Sequence, residues 1–309
     1  MDTKSLVQEF LDYLEIERNR SKKTIENYRH YLERFLTMAP AKRPEDITAE
    51  SVRRFRLLLN RLGEENGKPL SRVTQNYHII ALRNFLKYLA KRDVPSLQAE
   101  KLEVGKNPTY TVEFLDAGEL DRLLESASGT SLRALRDRAV LEMLFSAGLR
   151  VSELTSINRD QLNLKTQEFS VRGKGGKVRV VFISGTAKQA IEDYLRKRND
   201  IDPALFVRIP RNTQQLHSTK GLRLTPRSVQ RIVKYYAAKA GLVKDVHPHT
   251  LRHSFATDLL VNGADIRSVQ AMLGHSSITT TQIYTHVTNQ QLREVHQAFH
   301  SRRSKKAKD

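Results

Sequence analysis

The 309-residue chain contains no cysteine, which excludes disulfides, thiolate nucleophiles and cysteine-ligated zinc. It has no apolar run approaching the roughly 18 residues that a membrane-spanning helix requires, so no membrane contact is expected. Its first residues, MDTKSLVQEF, bring in charge early and lack the apolar core of a secretory signal; a cytoplasmic location is the expectation. Internal repeats are absent, and the one low-complexity segment is the tail SRRSKKAKD, expected to be disordered. Acidic residues are scarce beside basic ones, 34 Asp and Glu against 53 Lys and Arg, a net charge of +19. A chain this basic raises the local concentration of polyanions and steers its encounters with them. Solubility alone asks for much less charge, so nucleic acid is the expected partner.

At this length two domains are expected. Residues 1–93 carry helical periodicity throughout. Leu6, Phe10, Leu11 and Leu14 recur at steps of three and four, the spacing of an amphipathic helix. Ser21 can cap a second helix whose apolar face is Ile25, Tyr28, Leu32, Phe35 and Leu36. Pro40 and Pro44 break the pattern. Thr48 then caps a third helix predicted to bury Val52, Phe55, Leu58, Leu59 and Leu62. A fourth, from about Ser71 to Leu89, is predicted to bury Val73, Tyr77, Ile80, Leu82, Phe85, Leu86 and Leu89. Together these make a small helical bundle. Arg18, Arg20, Lys22, Lys23, Lys42 and Arg43 lie on its outer faces. Each alone suits a solvated surface; as a set they suit phosphate contact. Residues 94–110, with a proline near either end and no periodicity, are expected to link the domains. Of the total charge, +5 falls on residues 1–105 and +14 on residues 106–309.

The second domain, 111–309, opens on a D-x-x-E capping box, Asp116 with Glu119, flanked by Leu115 and Leu120 as a hydrophobic staple. The helix DRAVLEMLFSAGL should stop at Gly148, leaving Arg150 just beyond. EFSVRG and KVRVVFIS alternate with period two and flank GKGGK, the pattern of a β-hairpin. Phe169, Val171, Val178, Val180 and Phe182 are expected to form its apolar face. The remainder is predicted helical, apart from an exposed polar loop at Arg208–Gly221. One helix lies around Lys188–Lys197, another starts at Thr225-Pro226, and others fall within His247–His286. The fold class is mainly α with a small β-hairpin in the second domain.

GKGGK (Gly173–Lys177) is not a nucleotide-binding loop. That loop needs GxxxxGK followed by Ser or Thr between a strand and a helix, whereas Val178 follows here and strands lie on both sides. His249 and His253 stand four apart, as in a zinc-binding helix, but Thr250 occupies the position where that motif has its glutamate. No metal site and no cofactor are expected, and His253 is read as a supporting residue. Tyr284 alone would belong to a surface or a core. What singles it out is an ordered set: Arg150, Lys174 on the hairpin, His249-x-x-Arg252, His275 after Gly274, then Tyr284.

That set, with AGLRVSEL at Ala147–Leu154, HPHTLRHSFAT at His247–Thr257 and LGHSSITTTQIYTH at Leu273–His286, resembles the tyrosine recombinases of the integrase family, and among them the Xer type. The resemblance covers nearly the whole chain; its last two motifs are highly specific, and GKGGK alone is weak. It implies a SAM-like helical core-binding domain followed by a catalytic domain. It also implies strand exchange through a 3′-phosphotyrosine and a Holliday junction. Arg150 and Arg252 would clamp the non-bridging oxygens of the scissile phosphate through charge-assisted bonds. His249 and His275 would donate to it or move a proton. Tyr284 would attack, and Lys174 would protonate the leaving 5′ oxygen. Glu153 would orient an arginine. Because the phosphotyrosine conserves the bond energy, neither ATP nor metal is needed.

The implied partners are double-stranded DNA with a specific recombination site and a homo- or hetero-tetramer of recombinase on two duplexes. A division-associated DNA translocase is a further implied partner. Leu292, Val295 and Phe299 would form one face of a last helix, docking in cis or on the next protomer. Phe145 and Ser146 stand where related sequences often have Tyr and Thr, a departure that touches no catalytic position. The absence of an arm-binding domain ahead of the bundle favours the Xer-type role, in chromosome or plasmid dimer resolution, over integration of a mobile element. A type IB topoisomerase shares the chemistry. A DNA-binding protein without catalysis would need neither Tyr284 nor Lys174.

Overall fold

The computed structural model describes residues 2–63, 67–107, 112–173, 176–210, 221–275, 277–278 and 281–284. The chain divides into two compact units, Met1–Tyr110 and Thr111–Asp309. Among the described residues, no helix is long and apolar enough to cross a membrane.

The first unit is built from α1 (Thr3–Ile16), α2 (Lys22–Met38), α3 (Ala49–Arg61) and α4 (Arg72–Lys91). Ser21, Thr48 and Ser71 occupy the N-cap positions of α2, α3 and α4, and each accepts from a backbone N–H of the first turn. Those bonds satisfy donors that a helix start otherwise leaves orphaned. Leu6, Phe10, Leu11, Leu32, Phe35, Phe55, Leu59, Leu82, Phe85 and Leu86 fill the core. Phe35 meets Phe55 edge-on at 5.1 Å, a favoured aromatic geometry.

Two positions expected inside are outside. Tyr77 is exposed because α4 turns inward the side that bears Ile79, Leu82, Phe85, Leu86 and Leu89; Tyr77 instead stacks on Tyr31 at 6.5 Å. Leu62 is exposed because α3 ends at Arg61, and Leu62 has already left helical geometry. The segment expected as a linker packs partly into this first core. Ala99 and Leu102 are buried around a 3-10 turn at Ala99–Lys101. Asn76, buried in α4, donates to Gly105 O and Asn107 Oδ1, both at 2.7 Å. A buried amide that finds such partners avoids a desolvation cost of about 1–3 kcal/mol.

The second unit begins with α5 (Ala117–Ser126), whose capping box is formed in both directions: Glu119 N to Asp116 Oδ1 at 2.8 Å and Asp116 N to Glu119 Oε2 at 3.0 Å. α6 (Leu132–Ala147) runs through the centre of the core and packs on α8 (Gly185–Arg196) and α10 (Pro248–Val261). It stops at Gly148, in the left-handed region with φ +55°. A Cβ there would lie 2.3 Å from the Phe255 ring of α10. Only glycine satisfies both the backbone and that approach. The short α7 (Val151–Ser156) follows at once, with Arg150 at its N-cap. α9 (Pro226–Lys239) is capped by Thr225 with proline in its first turn, and α11 (Ile266–Leu273) by Asp265. Of the polar loop expected at Arg208–Gly221, residues 211–220 lie outside the described residues.

β1 (Glu168–Arg172) and β2 (Val178–Phe182) pair antiparallel, and their register reverses one expectation. Phe169 faces Val181, and Val171 faces Arg179. Directly opposed residues share a face of the sheet, so the inward face carries Phe169, Val171, Val181 and Arg179. Val178, Val180 and Phe182 project outward, Phe182 at 54% exposure. Alternation within β2 would favour the uniformly apolar side, Val178, Val180 and Phe182, and so does not by itself decide which face turns inward. Pairing with Phe169 and Val171 does, and it turns Arg179 into the molecule.

Candidate active site

The C-terminal end of α11 organises the site. A helix end exposes carbonyls without helical partners and carries partial negative charge. Here three successive carbonyls each receive a guanidinium from a different element. Arg179 of β2 donates Nε to Met272 O at 2.9 Å, and Arg252 of α10 donates Nη2 to Leu273 O at 2.6 Å. Arg150 of α7 donates Nη2 to Gly274 O at 3.2 Å. Gly274 ends the helix in the left-handed region, φ +63°. A Cβ on it would come within 3.0 Å of the Arg179 side chain, so glycine is what lets Arg179 lie against the cap.

Glu153, on the first turn of α7, joins two of these arginines. Its Oε1 accepts from Arg150 Nη1 at 2.7 Å and Arg179 Nη1 at 2.9 Å. Its Oε2 accepts from Arg150 N and Arg179 Nη2, both at 2.9 Å. Burial pushes the Glu153 carboxyl up, but the bonds and charge of Arg179, then those of Arg150, outweigh it and hold the group at about 2. Glu153 therefore orients Arg150, as expected, and Arg179 as well.

Arg252 is 4% exposed, with its second Nη donating to Gly148 O at 2.6 Å. Burial first, and the Arg150 charge next, lower its guanidinium to about 10. Three guanidiniums against one carboxylate leave the cluster with surplus positive charge, the electrostatics of an oxyanion site. His275 follows the α11 cap, its Nδ1 3.0 Å from Thr281 Oγ1. Desolvation, then the charges of Arg252 and Arg150, lower it to about 4. His249 lies in the first turn of α10 and is exposed there, between buried Pro248 and Thr250. Desolvation, then His247, Arg252 and Arg150, shift it below its ordinary value.

Tyr284 closes a 3-10 turn, Gln282–Tyr284, and is 1% exposed. Its ring packs with Ala256, Leu260, Val269 and Leu273. The hydroxyl lies 2.5 Å from His253 Nδ1. Burial raises the phenol to about 12 against the pull of the Arg252 charge. Desolvation, then His249 and Arg252, hold His253 at about 4. The pair is therefore neutral at pH 7.

Of the sequence-derived set, Arg150, His249, Arg252, His275 and Tyr284 are described and belong to one connected group. Lys174 lies outside the described residues, as do Leu292, Val295 and Phe299. Arg179 was missed. The available signal was the strand pairing, because an arginine opposite Val171 must share its inward face.

The depressed histidines predict a pH effect. His253 and His275 have folded values near 4, below the ordinary 6.5. Between those limits the unfolded chain binds more protons, so stability falls as pH drops from about 6.5 to about 4. Thermal unfolding followed from pH 7.5 to 4.5 should show that fall. His253→Gln and His275→Gln should each flatten it; an unchanged slope in both would contradict the assignment.

A model of the phage integrase family matches residues 113–291, and one of the phage integrase N-terminal SAM-like domain matches residues 7–93. The chain belongs to the phage integrase family. Within it, this recombinase is of the Xer type. It is 37% identical over 311 residues to tyrosine recombinase XerD of Oceanobacillus iheyensis, covering 96% of this chain and 98% of that one. It is 36% identical over 307 residues to tyrosine recombinase XerC of Actinobacillus succinogenes, covering 97% and 98%. Among solved structures, the XerH site-specific recombinase bound to its difH substrate in a pre-cleavage complex matches with a TM-score of 0.67 and 26% identity, covering 91% and 80%. The recombinase is thus a tyrosine-type, site-specific enzyme that cuts and rejoins DNA, mainly helical with a two-stranded sheet.

Proposed function

We propose that the recombinase resolves chromosome dimers by strand exchange at a specific double-stranded DNA site, using Arg150, Lys174, His249, Arg252, His275 and Tyr284. The observation that carries the reading is the convergence of Arg150, Arg252 and His275 on one helix end with unbalanced positive charge. A phosphodiester seated there would place its non-bridging oxygens against Arg150 and Arg252, where charge grows in the transition state. His249 and His275, neutral near pH 7, each supply one donor or move a proton.

The Tyr284 oxygen forms a bond to phosphorus as the bond to the 5′ oxygen breaks. The phenolic proton leaves through a neighbouring base, and Lys174 protonates the departing 5′ oxygen. Rejoining is the reverse, with a different 5′ hydroxyl attacking the phosphotyrosine. Attack requires the phenol to give up its bond to His253. The proposed assembly is a tetramer of this chain, alone or with a paralogue, on two duplexes. A division-associated DNA translocase is the proposed activator.

Two measurements test this. Sequencing of DNA recovered covalently on Tyr284 from cells should return one recurrent chromosomal site; recovery of the ends of a mobile element would assign the enzyme to integration instead. On a nicked suicide duplex carrying that site, Lys174→Ala should slow cleavage by about 10²–10⁴-fold, the range for a lost general acid. A 5′-bridging sulfur, which leaves without protonation, should restore most of the rate. Absence of rescue would remove Lys174 from the acid role.

A further inference from the structure

We infer that Arg179 is a positioning residue of the cleavage site, holding Arg150 through Glu153 in the orientation that receives the scissile phosphate. The inference rests on the roles proposed above for Arg150 and Tyr284. The Arg179 side chain is 11% exposed, and its three donor nitrogens are each committed at 2.9 Å: two to the separate Glu153 oxygens and one to Met272 O. Its guanidinium is thus given over to Glu153 and the helix end, with little of it open to solvent. Its effect is on the carboxylate. Each Glu153 oxygen accepts one bond from Arg179 and one from Arg150.

Without Arg179, a buried carboxylate would keep only one cationic partner. Buried carboxylates demand neutralisation, and a guanidinium beside an unshared carboxylate favours the bidentate fork. Arg150 would then swing both Nη groups onto Glu153 and surrender the contact that Nη2 makes at the helix end. Arg179 prevents this by occupying half of each oxygen. Lysine cannot replace it, because a single ammonium does not span two carboxylate oxygens and a backbone carbonyl at once. The residue also sits on β2, so the same fork fixes the base of the β1–β2 hairpin against α11.

The test uses the full chain and a nicked suicide duplex carrying the site recovered on Tyr284. Single-turnover cleavage at saturating protein and duplex affinity are measured for Arg179→Met, Arg179→Lys, Arg150→Ala and the two double variants, with thermal unfolding of each. Both Arg179 variants should cleave about 30–100-fold more slowly while duplex affinity changes by less than about 3-fold. In the Arg150→Ala background, either substitution should cost less than about 2-fold more, because residues acting through one group are not additive.

A merely structural arginine would instead multiply the loss in that background, and that result overturns the inference. So would wild-type cleavage by either single variant. If Arg179→Met fails to fold, Arg179→Lys, which keeps the charge and the stem, decides. Undiminished cleavage by Arg150→Ala, or covalent product from Tyr284→Phe, would sink the underlying reading rather than this one.

Discussion

Tyr284→Phe is expected to abolish covalent DNA complexes while leaving DNA binding and folding intact. The ring sits among Ala256, Leu260, Val269 and Leu273, a pocket that phenylalanine fills with the same shape. The change removes the hydroxyl and its bond to His253 Nδ1, costing stability about 1 kcal/mol. His253 is held near 4, so it stays neutral and leaves no buried charge behind. The chemical loss is of another order. With no oxygen to attack phosphorus, trapping on a nicked suicide duplex should fall by at least about 10⁴-fold, as for other removed nucleophiles. Electrophoretic mobility shifts on the same duplex should match wild type. A covalent band from the variant would show that another residue is the nucleophile.

Arg252→Ala should fail in two ways at once. The side chain is the partner of two buried carbonyls, Gly148 O at the end of α6 and Leu273 O at the end of α11. Truncation strands both, at about 1–3 kcal/mol each, and opens a cavity between α10 and those two helix ends. Cleavage should drop by about 10³-fold, the scale of a lost oxyanion donor, and the second unit should unfold at clearly lower temperature. Arg150→Ala is the contrast. Its side chain is 28% exposed and makes one weak carbonyl contact beyond Glu153, so cleavage should fall similarly with little thermal shift. Equal thermal shifts for the two variants would contradict this division between a residue that both builds and acts and one that mainly acts.

Much of the fold was legible because it is local. Ser21, Thr48, Ser71 and Asp116 cap helices where their side chains reach the next turn's donors, whatever the distant chain does. Gly148 and Gly274 end helices because the left-handed turn suits a residue without Cβ. Leu6, Phe10, Leu11 and Leu14 read correctly as one face from spacing alone. Tyr77 did not, because α4 carries apolar or aromatic residues on more than one side, and its partners α1 and α2 chose among them. In the site, the residue types and their order were visible, since phosphate chemistry demands cations, proton carriers and a nucleophile.

What the sequence by itself determined was the inventory: which helices start and stop where, the hairpin, the excess of positive charge, and the candidate set Arg150, Lys174, His249, Arg252, His275 and Tyr284. The tertiary structure decided which way the described ones among those groups face. The inward turn of Arg179 depends on the pairing of Val181 with Phe169 across the sheet, against the alternation of β2 alone, whose uniformly apolar face is Val178, Val180 and Phe182. The convergence of Arg150, Arg179 and Arg252 on Met272, Leu273 and Gly274 joins segments far apart in the chain, and no local pattern encodes it. The seclusion of Tyr284 against His253 likewise depends on how α10 and α11 pack. Local physics sets the elements; desolvation and charge, which act only once distant groups are brought together, set the chemistry.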